Sequence, residues 1–364
     1  MAGGYGVVMS WPGDPESLLA GPRGRRLCWE LAAQMGRPER PGIGPAWEQV
    51  WSNSRGADPV ELASELAAAV AGSDWPFALA GMSEVALVEP LAESVTLAMY
   101  WQEPDTVDQA LAHPGVAGEL RPVAHAITGA PGTRWWSTGI DAGTQQYVES
   151  PHDQDGRPTW SGAADRLVTW LAATEEEERS AAGRPADPAA PYSGHWWSSP
   201  TWAGLVSTTR ALRGLGPLQL YAMEDWPGFE DVRCWPVAIP HHPARIREIT
   251  GPDDWTALVT RYPLEVTKSR RHDWWRVTGW AGTWLMPDYA AAAADYDAIH
   301  LTVGGYLTTA GRALAVNDAR CVLAGWDPDK TYWLADCPAG GSPPVRWIRD
   351  DSAYLGWRRA DPEL

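Results

Sequence analysis

The densest gathering of groups able to do chemistry in this 364-residue chain lies between Leu264 and Leu307. Lys268, Arg270, Arg271 and Arg276 place four permanent cations, together with His272, inside nine residues of a chain whose formal charge is −17. Guanidinium groups grip phosphate in a two-pronged geometry, and Trp274, Trp275 and Trp280 interleaved with them offer flat faces for a purine or nicotinamide ring. The segment is therefore expected to hold a small anionic ligand of the nucleotide type. The same residues allow two other uses. The arginines could stack on the tryptophans as surface cation–π pairs that serve stability alone, or the Trp- and Arg-rich surface could dock a protein partner.

His300, Thr302 and Tyr306 follow in Asp297-Ala298-Ile299-His300-Leu301-Thr302-Val303-Gly304-Gly305-Tyr306. In the ligand reading Arg247, Arg271 and Arg276 neutralise phosphate, Trp275 and Tyr306 stack on the ring, and His300 or Asp327 acts as base; Arg245, Arg270, His272 and Thr302 complete the candidate set. A carboxylate beside a ribose favours the cation developing there, which suits glycosyl chemistry. Carboxylate pairs also occur at Glu224-Asp225, Asp253-Asp254 and Asp327/Asp329, so an intracellular glycosidase or sugar-binding protein is a third possibility, although turn and helix-cap roles explain such acids more simply. A second basic group, Arg23-Gly24-Arg25-Arg26, reads first as a helix start neutralising nearby carboxylates, with a further anion contact as the alternative.

The elements that must position these groups alternate irregularly. Helices are expected over Leu27–Met35, Val60–Ala71, Asp105–Ala112, Arg121–Thr128, Trp160–Ser180, Thr201–Arg213, Gly251–Pro263 and Asp288–Tyr296, from capping residues and four-residue apolar spacing. Strands are expected at Val85–Leu91, Val95–Trp101, Arg134–Thr138, Leu218–Met223, Arg233–Ile239, Arg245–Ile249, Ala298–Leu307, Thr331–Trp333 and Val345–Ile348. The basic cluster itself reads as a loop. Glu175 to Glu178 oppose the dipole at the end of the long helix, which should fray there. This pattern predicts an α+β chain: a mixed N-terminal domain over 1–180, a Pro/Ala/Gly linker over 181–194, and a strand-richer ligand-binding domain over 195–364 with a small split antiparallel or mixed sheet.

Composition narrows the partners. The acidic balance argues against broad nucleic-acid binding and against an anionic membrane surface. Met1–Trp11 has no signal-peptide pattern, no long apolar run occurs, and Cys28, Cys234, Cys321 and Cys337 are too scattered for a structural zinc site, so a cytoplasmic location with reduced thiols and no metal is expected. His241 and His242 are adjacent, so in an extended segment their rings point apart and cannot share a metal. Twenty-four tryptophans against two phenylalanines, two lysines and two asparagines suggest a GC-rich bacterial genome, with Trp filling core positions that Phe would take elsewhere.

No dinucleotide or phosphate-loop glycine motif, nucleophile elbow or metalloprotease motif is present. The order of elements from about 244 to 335, an arginine-bearing strand with Arg245 and Arg247, a short Trp-containing helix, a loop, PDYAAAAADYDAIHLTVGGYL and VLAGWDPDKTYWL, resembles the layout of an ADP-ribosyltransferase-like domain. The resemblance implies a site that splits NAD between two twisted sheets, with Arg245 or Arg247 on an NAD phosphate, Tyr306 or Trp275 on nicotinamide and a carboxylate assisting its departure. Activity would then be NAD-dependent ADP-ribosyl or glycosyl transfer. Ser207-Thr208-Thr209 precedes rather than follows the arginine strand, and Asp327 and Asp329 stand where that family carries Glu-x-Glu.

Overall fold

The computed structural model describes residues 15–35, 58–71, 81–98, 101–149, 159–224, 228–239, 244–340, 342–350 and 352–360. Met1–Trp11, Asp225, His241 and His242 lie outside them.

The architecture is α+β with two mixed sheets. Helices fill most of the described chain before residue 181. α1 (Glu16–Ala20) stops at Gly21, whose extended backbone leaves the helix, and α2 (Pro22–Met35) begins on a proline whose missing N–H costs nothing at that position. α3 (Pro59–Ala71) buries Leu62, Leu66 and Val70, the face its four-residue spacing predicts. α4 (Val88–Thr96) and α6 (Pro114–Gly129) pack on α2, while α5 (Thr106–Leu111) and α6 hold α3.

Three expected strands fall inside this helical layer: Val85–Leu91; Val95–Trp101, whose first two residues end α4 and whose other described residues form no strand; and Arg134–Thr138. Val85–Leu87 is a 3-10 turn leading into α4, where Val88, Leu91 and Val95 recur at helical spacing and are all buried. A short apolar run satisfies both periods, and the neighbouring helix decides between them. Arg134–Thr138 is likewise no strand but the end of a 3-10 segment, Pro131–Ser137, that buries Trp136. α7 (Ala163–Ser180) closes the layer.

The large sheet has the order β14-β13-β4-β1-β2-β11-β8-β5. Its members are β1 (Gln145–Val148), β2 (Ser207–Leu212), β4 (Asp231–Ala238), β5 (Ile246–Ile249), β8 (Ala298–Leu301), β11 (Lys330–Trp333), β13 (Val345–Arg349) and β14 (Trp357–Arg359). β3 (Gly216–Pro217) and β12 (Ala339–Gly340) add short pairings, and among the described residues of this sheet only β5 with β8 runs parallel. β1 lies between β2 and β4, so strands from either side of 181–194 interleave in one sheet. One apolar cluster runs from Leu18 to Trp357, and a smaller one, Tyr147, Val206, Val237, Ala298 and Trp333, covers the other sheet face.

The small sheet, β6-β7-β10-β9, comprises β6 (Pro263–Glu265), β7 (Trp284–Pro287), β9 (Leu314–Val316) and β10 (Ala319–Cys321). α8 (Pro252–Arg261), α9 (Thr267–Thr278), α10 (Tyr289–Ala292) and α11 (Val303–Thr309) complete the second half. Several expectations give way here. The basic cluster is helical, forming α9. Thr201–Arg213 is a 3-10 turn, a left-handed Gly204 and then β2, and Leu218–Leu220 is a 3-10 turn. The strand expected over Ala298–Leu307 ends at Leu301, because the Thr302 hydroxyl accepts from the Gly305 N–H at 2.9 Å and caps α11. The C-terminal stretch forms two strands where one was expected.

Tryptophan goes to the interior: Trp29, Trp136, Trp255, Trp274, Trp284, Trp326 and Trp333 are each less than 2 % exposed. Among the described residues no helix is long and apolar enough to cross a membrane, no group of three metal-ligating side chains occurs, and the four cysteines are free.

Candidate functional site

α9 carries the basic cluster, and the chain supplies its own anions to it. Glu177 Oε2 accepts from Arg270 Nη1 at 2.8 Å and lies 2.9 Å from His195 Nδ1, while Glu178 accepts from the backbone N–H groups of Lys268 and Ser269 at 2.8 Å each. The glutamates expected to fray α7 instead cap α9 and neutralise its arginine, and α7 continues to Ser180. Burial pushes the Glu177 pKa up, but the His195 hydrogen bond and the Arg270 charge outweigh it and hold it at about 2. Removing the cap in Glu178→Ala is expected to cost about 1–2 kcal/mol, measured as a lowered urea midpoint at unchanged slope.

The other cations of the expected site are similarly engaged. Arg276 meets Asp273 Oδ1 at 2.9 Å and the carbonyls of Trp101 and Tyr192, and Arg271 reaches the Ala186 carbonyl at 3.4 Å. His272 is buried with Nδ1 3.3 Å from the Pro188 carbonyl. Residues 181–194, expected as a linker, are thus bonded along α9, with Gly194 N–H donating to Asp273 Oδ2 at 2.7 Å. Trp275, half-buried, borders an open hollow of about 480 Å³ walled by Pro188, Pro191 and Tyr192. Arg245 pairs with Asp297 at 2.8 Å and Arg247 with Asp254 at 3.0 Å. These guanidiniums each face a separate partner, so they do not converge on one space.

Tyr306 and Asp327 do come together, in the interior. The Tyr306 hydroxyl donates to Glu224 Oε1 at 2.8 Å, and Asp327 accepts from Glu224 N–H at 2.9 Å and from Lys330 Nζ at 2.9 Å. Burial raises the Glu224 pKa to about 7 against the opposing pull of Arg23, 3.5 Å away, and of Tyr306. Thr302 is buried as the α11 cap.

His300 sits elsewhere, on the sheet face opposite the main core. Strand alternation puts Ile299 and Leu301 in that core and turns His300 away, towards Glu248 on β5 and Thr331 on β11, its register partners. Its Nδ1 is 2.5 Å from Glu248 Oε2 and its Nε2 3.4 Å from Asp329 Oδ1, and Asp329 in turn accepts from Arg210 Nε at 2.7 Å. The ring is fully buried.

A convergence of cations exists at a place to which the sequence pointed only in part. Arg25 on α2, Arg312 just beyond α11 and Arg320 on β10 line a cavity of about 430 Å³ with apolar walls that include Pro22, Val277 and Leu314. Three turns bring them there. Gly21-Pro22 packs on the turn at Gly311, whose φ of +73° demands glycine and where a Cβ would lie 3.2 Å from Pro22 Cγ. The β9–β10 hairpin turns through Asn317 at φ +51° and delivers Arg320. Each guanidinium is anchored by one backbone carbonyl: Arg25 Nη1 on Leu19 at 2.9 Å, Arg312 Nη1 on Thr308 at 2.6 Å, Arg320 Nη1 on Ala313 at 3.3 Å. Arg320 also stacks on Trp280 at 5.1 Å.

Among the described residues none of these three has a carboxylate within ion-pair distance. Asp108 also lines the cavity, but Arg26 Nε donates to it at 3.1 Å and so neutralises it, as one reading of the Arg23–Arg26 run expects. Burial lowers the Arg25 pKa; Asp108 opposes that, and the nearby Arg312 charge lowers it further. Burial lowers that of Arg312 too. Both shifts disfavour cationic guanidinium, so a bound anion would relieve them.

Arg312 and Arg320 were missed in the sequence. The available signal was that Val303 to Val316 contains no acid around Arg312, in a chain where acids outnumber bases. Compared with known proteins, the chain matches no family model, no curated protein and no solved structure at a significant level.

Proposed function

We propose that this protein binds a small phosphate-bearing or nucleotide-type anion in the cavity framed by Arg25, Arg312 and Arg320. The observation that carries the reading is the gathering of three guanidiniums, without carboxylate partners among the described residues, around one partly open cavity, in a chain of net charge −17. A volume of about 430 Å³ lies in the usual range for small-molecule sites. Backbone carbonyls hold the arginines in place before the ligand arrives, which reduces the ordering cost of binding. NAD, with ADP-ribosyl or glycosyl transfer, is the narrower form of this reading. Its ring would need a stacking face beyond the cavity, because no aromatic side chain lines it among the described residues.

The test is thermal unfolding with inorganic phosphate, AMP, ADP-ribose and NAD. A Tm that rises with concentration of at least one of them is expected. Arg312→Ala should weaken that ligand about 10- to 100-fold, the loss of one charge-assisted hydrogen bond. Raising salt should weaken it in the wild type as well. If none of the four probes raises Tm, or if Arg312→Ala leaves the rise intact, the cavity is not an anion site.

A further inference from the structure

Positive charge is left over in the arginine cavity even on a strict count. Four arginines and one carboxylate, Asp108, are among its described lining residues. Arg23 is engaged with buried Glu224 at 3.5 Å. Arg26 serves Asp108, Asp105 and Glu30 together, so Asp108 keeps much of its own negative charge. Set in full against Arg25, Arg312 and Arg320, that one carboxylate still leaves two positive charges around the ligand. A group carrying two negative charges matches the surplus, whereas a singly charged one leaves a half-buried cation without a partner.

The hydrogen-bond donors point the same way. Each of the three arginines donates to one backbone carbonyl, from Nη1 in every case. A guanidinium has five N–H groups, so most of the donors remain for a ligand. Arg25 Nε is one of them, buried and without a hydrogen-bond partner among the described residues, and such a donor is costly until an acceptor reaches it. The terminal phosphate of a monoester brings three strong acceptor oxygens and, at neutral pH, close to two charges. A diester brings two such oxygens, one charge and a second substituent that the site must also hold.

The remaining walls describe what the phosphate is attached to. They include Ala20, Pro22, Ala112, Val277 and Leu314, with no aromatic ring among the described lining residues, so a base would find nothing to stack on. Gln109 Nε2 donates to the Pro104 carbonyl at 2.7 Å, which leaves its side-chain oxygen to accept from a hydroxyl. Short apolar walls beside a hydroxyl acceptor suit a polyol or a pentose.

We infer that the cavity takes the dianionic end of a phosphate monoester carried on a small polyol or pentose. The inference rests on the anion reading above and narrows it away from NAD, whose two phosphates are each bridged on both sides and carry one charge apiece.

Calorimetry at pH 7.5 with glycerol 3-phosphate, the diester glycerophosphoglycerol, ribose 5-phosphate, AMP and NAD, on wild type and Arg312→Ala, tests it. Glycerol 3-phosphate is expected to bind at least about tenfold more tightly than glycerophosphoglycerol, ribose 5-phosphate within about threefold of AMP, and NAD more weakly than either. At pH 5 the preference for the monoester should shrink about tenfold, because its second ionisation, near pH 6, is then reversed. The arginines on α2, on β10 and beyond α11 keep their charge over that range. Asp108 on α5 and Glu224 behind Arg23, whose pKa values burial raises, act on both ligands alike, so the monoester-to-diester ratio cancels them. The decisive comparison is between ligands on one protein and does not depend on how well the variant folds. Equal binding of monoester and diester, both weakened by Arg312→Ala, would leave the anion site standing and overturn the dianion inference. So would AMP or NAD binding about tenfold more tightly than ribose 5-phosphate. If no probe binds to the wild type, the anion reading fails and the inference with it.

Discussion

Between pH 7 and pH 10 the protein is expected to lose on the order of 3 kcal/mol of stability through one residue, His300. Burial disfavours the imidazolium, but Glu248 and the Asp329 bond outweigh it and raise the pKa from 6.5 to about 9. A folded value above the unfolded one means that the stabilisation is complete below 6.5 and disappears as pH rises through about 9. The groups around the ring are Glu248 from β5, Asp329 from the turn before β11, and Arg210 from β2 on the far side of Asp329. Urea titrations across that pH range check the slope. His300→Gln should flatten the profile. His300→Ala should cost about 3 kcal/mol or more at pH 7, because Glu248 loses its cation and the missing ring leaves a cavity, while Asp329 keeps Arg210. A wild-type profile as flat as that of His300→Gln would show that the imidazolium contributes nothing.

Gly24→Ala is expected to damage the fold and the anion cavity together. A Cβ there would lie 2.0 Å from the carbonyl oxygen of Leu18 and 2.7 Å from its carbon, and this is backbone of α1 that cannot swing aside as a side chain can. Overpacking of this kind costs about 1–3 kcal/mol or more. Relief requires α1 and α2 to separate, which moves Arg23 and Arg25 on either side of the glycine. The Tm rise with phosphate-bearing ligands should therefore vanish along with the stability. Gly118→Ala in α6 is the control: nothing lies within 4 Å of its Cβ, and alanine in a helix interior should gain about 0.5–1 kcal/mol. Denaturation midpoints of the two variants should move in opposite directions.

The proposed anion site shows how local reading and tertiary fact diverge. A dense run of cations is conspicuous in the sequence, yet Lys268–Arg276 is the place where the chain spends its own acids. Glu177 and Glu178 stand about ninety positions earlier, and nothing local marks them as partners of Lys268, Ser269 and Arg270. Arg312 and Arg320 look unremarkable one at a time, and Arg25 stands out only within the Arg23–Arg26 run. They matter because three turns bring them to one cavity where, among the described residues, no carboxylate lies within ion-pair distance of them and Asp108 is held by Arg26.

Some of this protein was settled by the chain alone. The α3 helix, the α8 helix with acids at its start and Arg261 at its end, the strands β11 and β13 and the α+β class all rest on spacing, caps and turn residues that act within a few positions. Tertiary structure decided the rest. Apolar runs such as Val88–Thr96 fit two periods and took the one that α2 could cover. Thr302 could have continued a strand and capped a helix instead. Which charges remain unmatched was decided there too, because electrostatic pairing depends on distance in space, and residues far apart along the chain become neighbours only when the core closes.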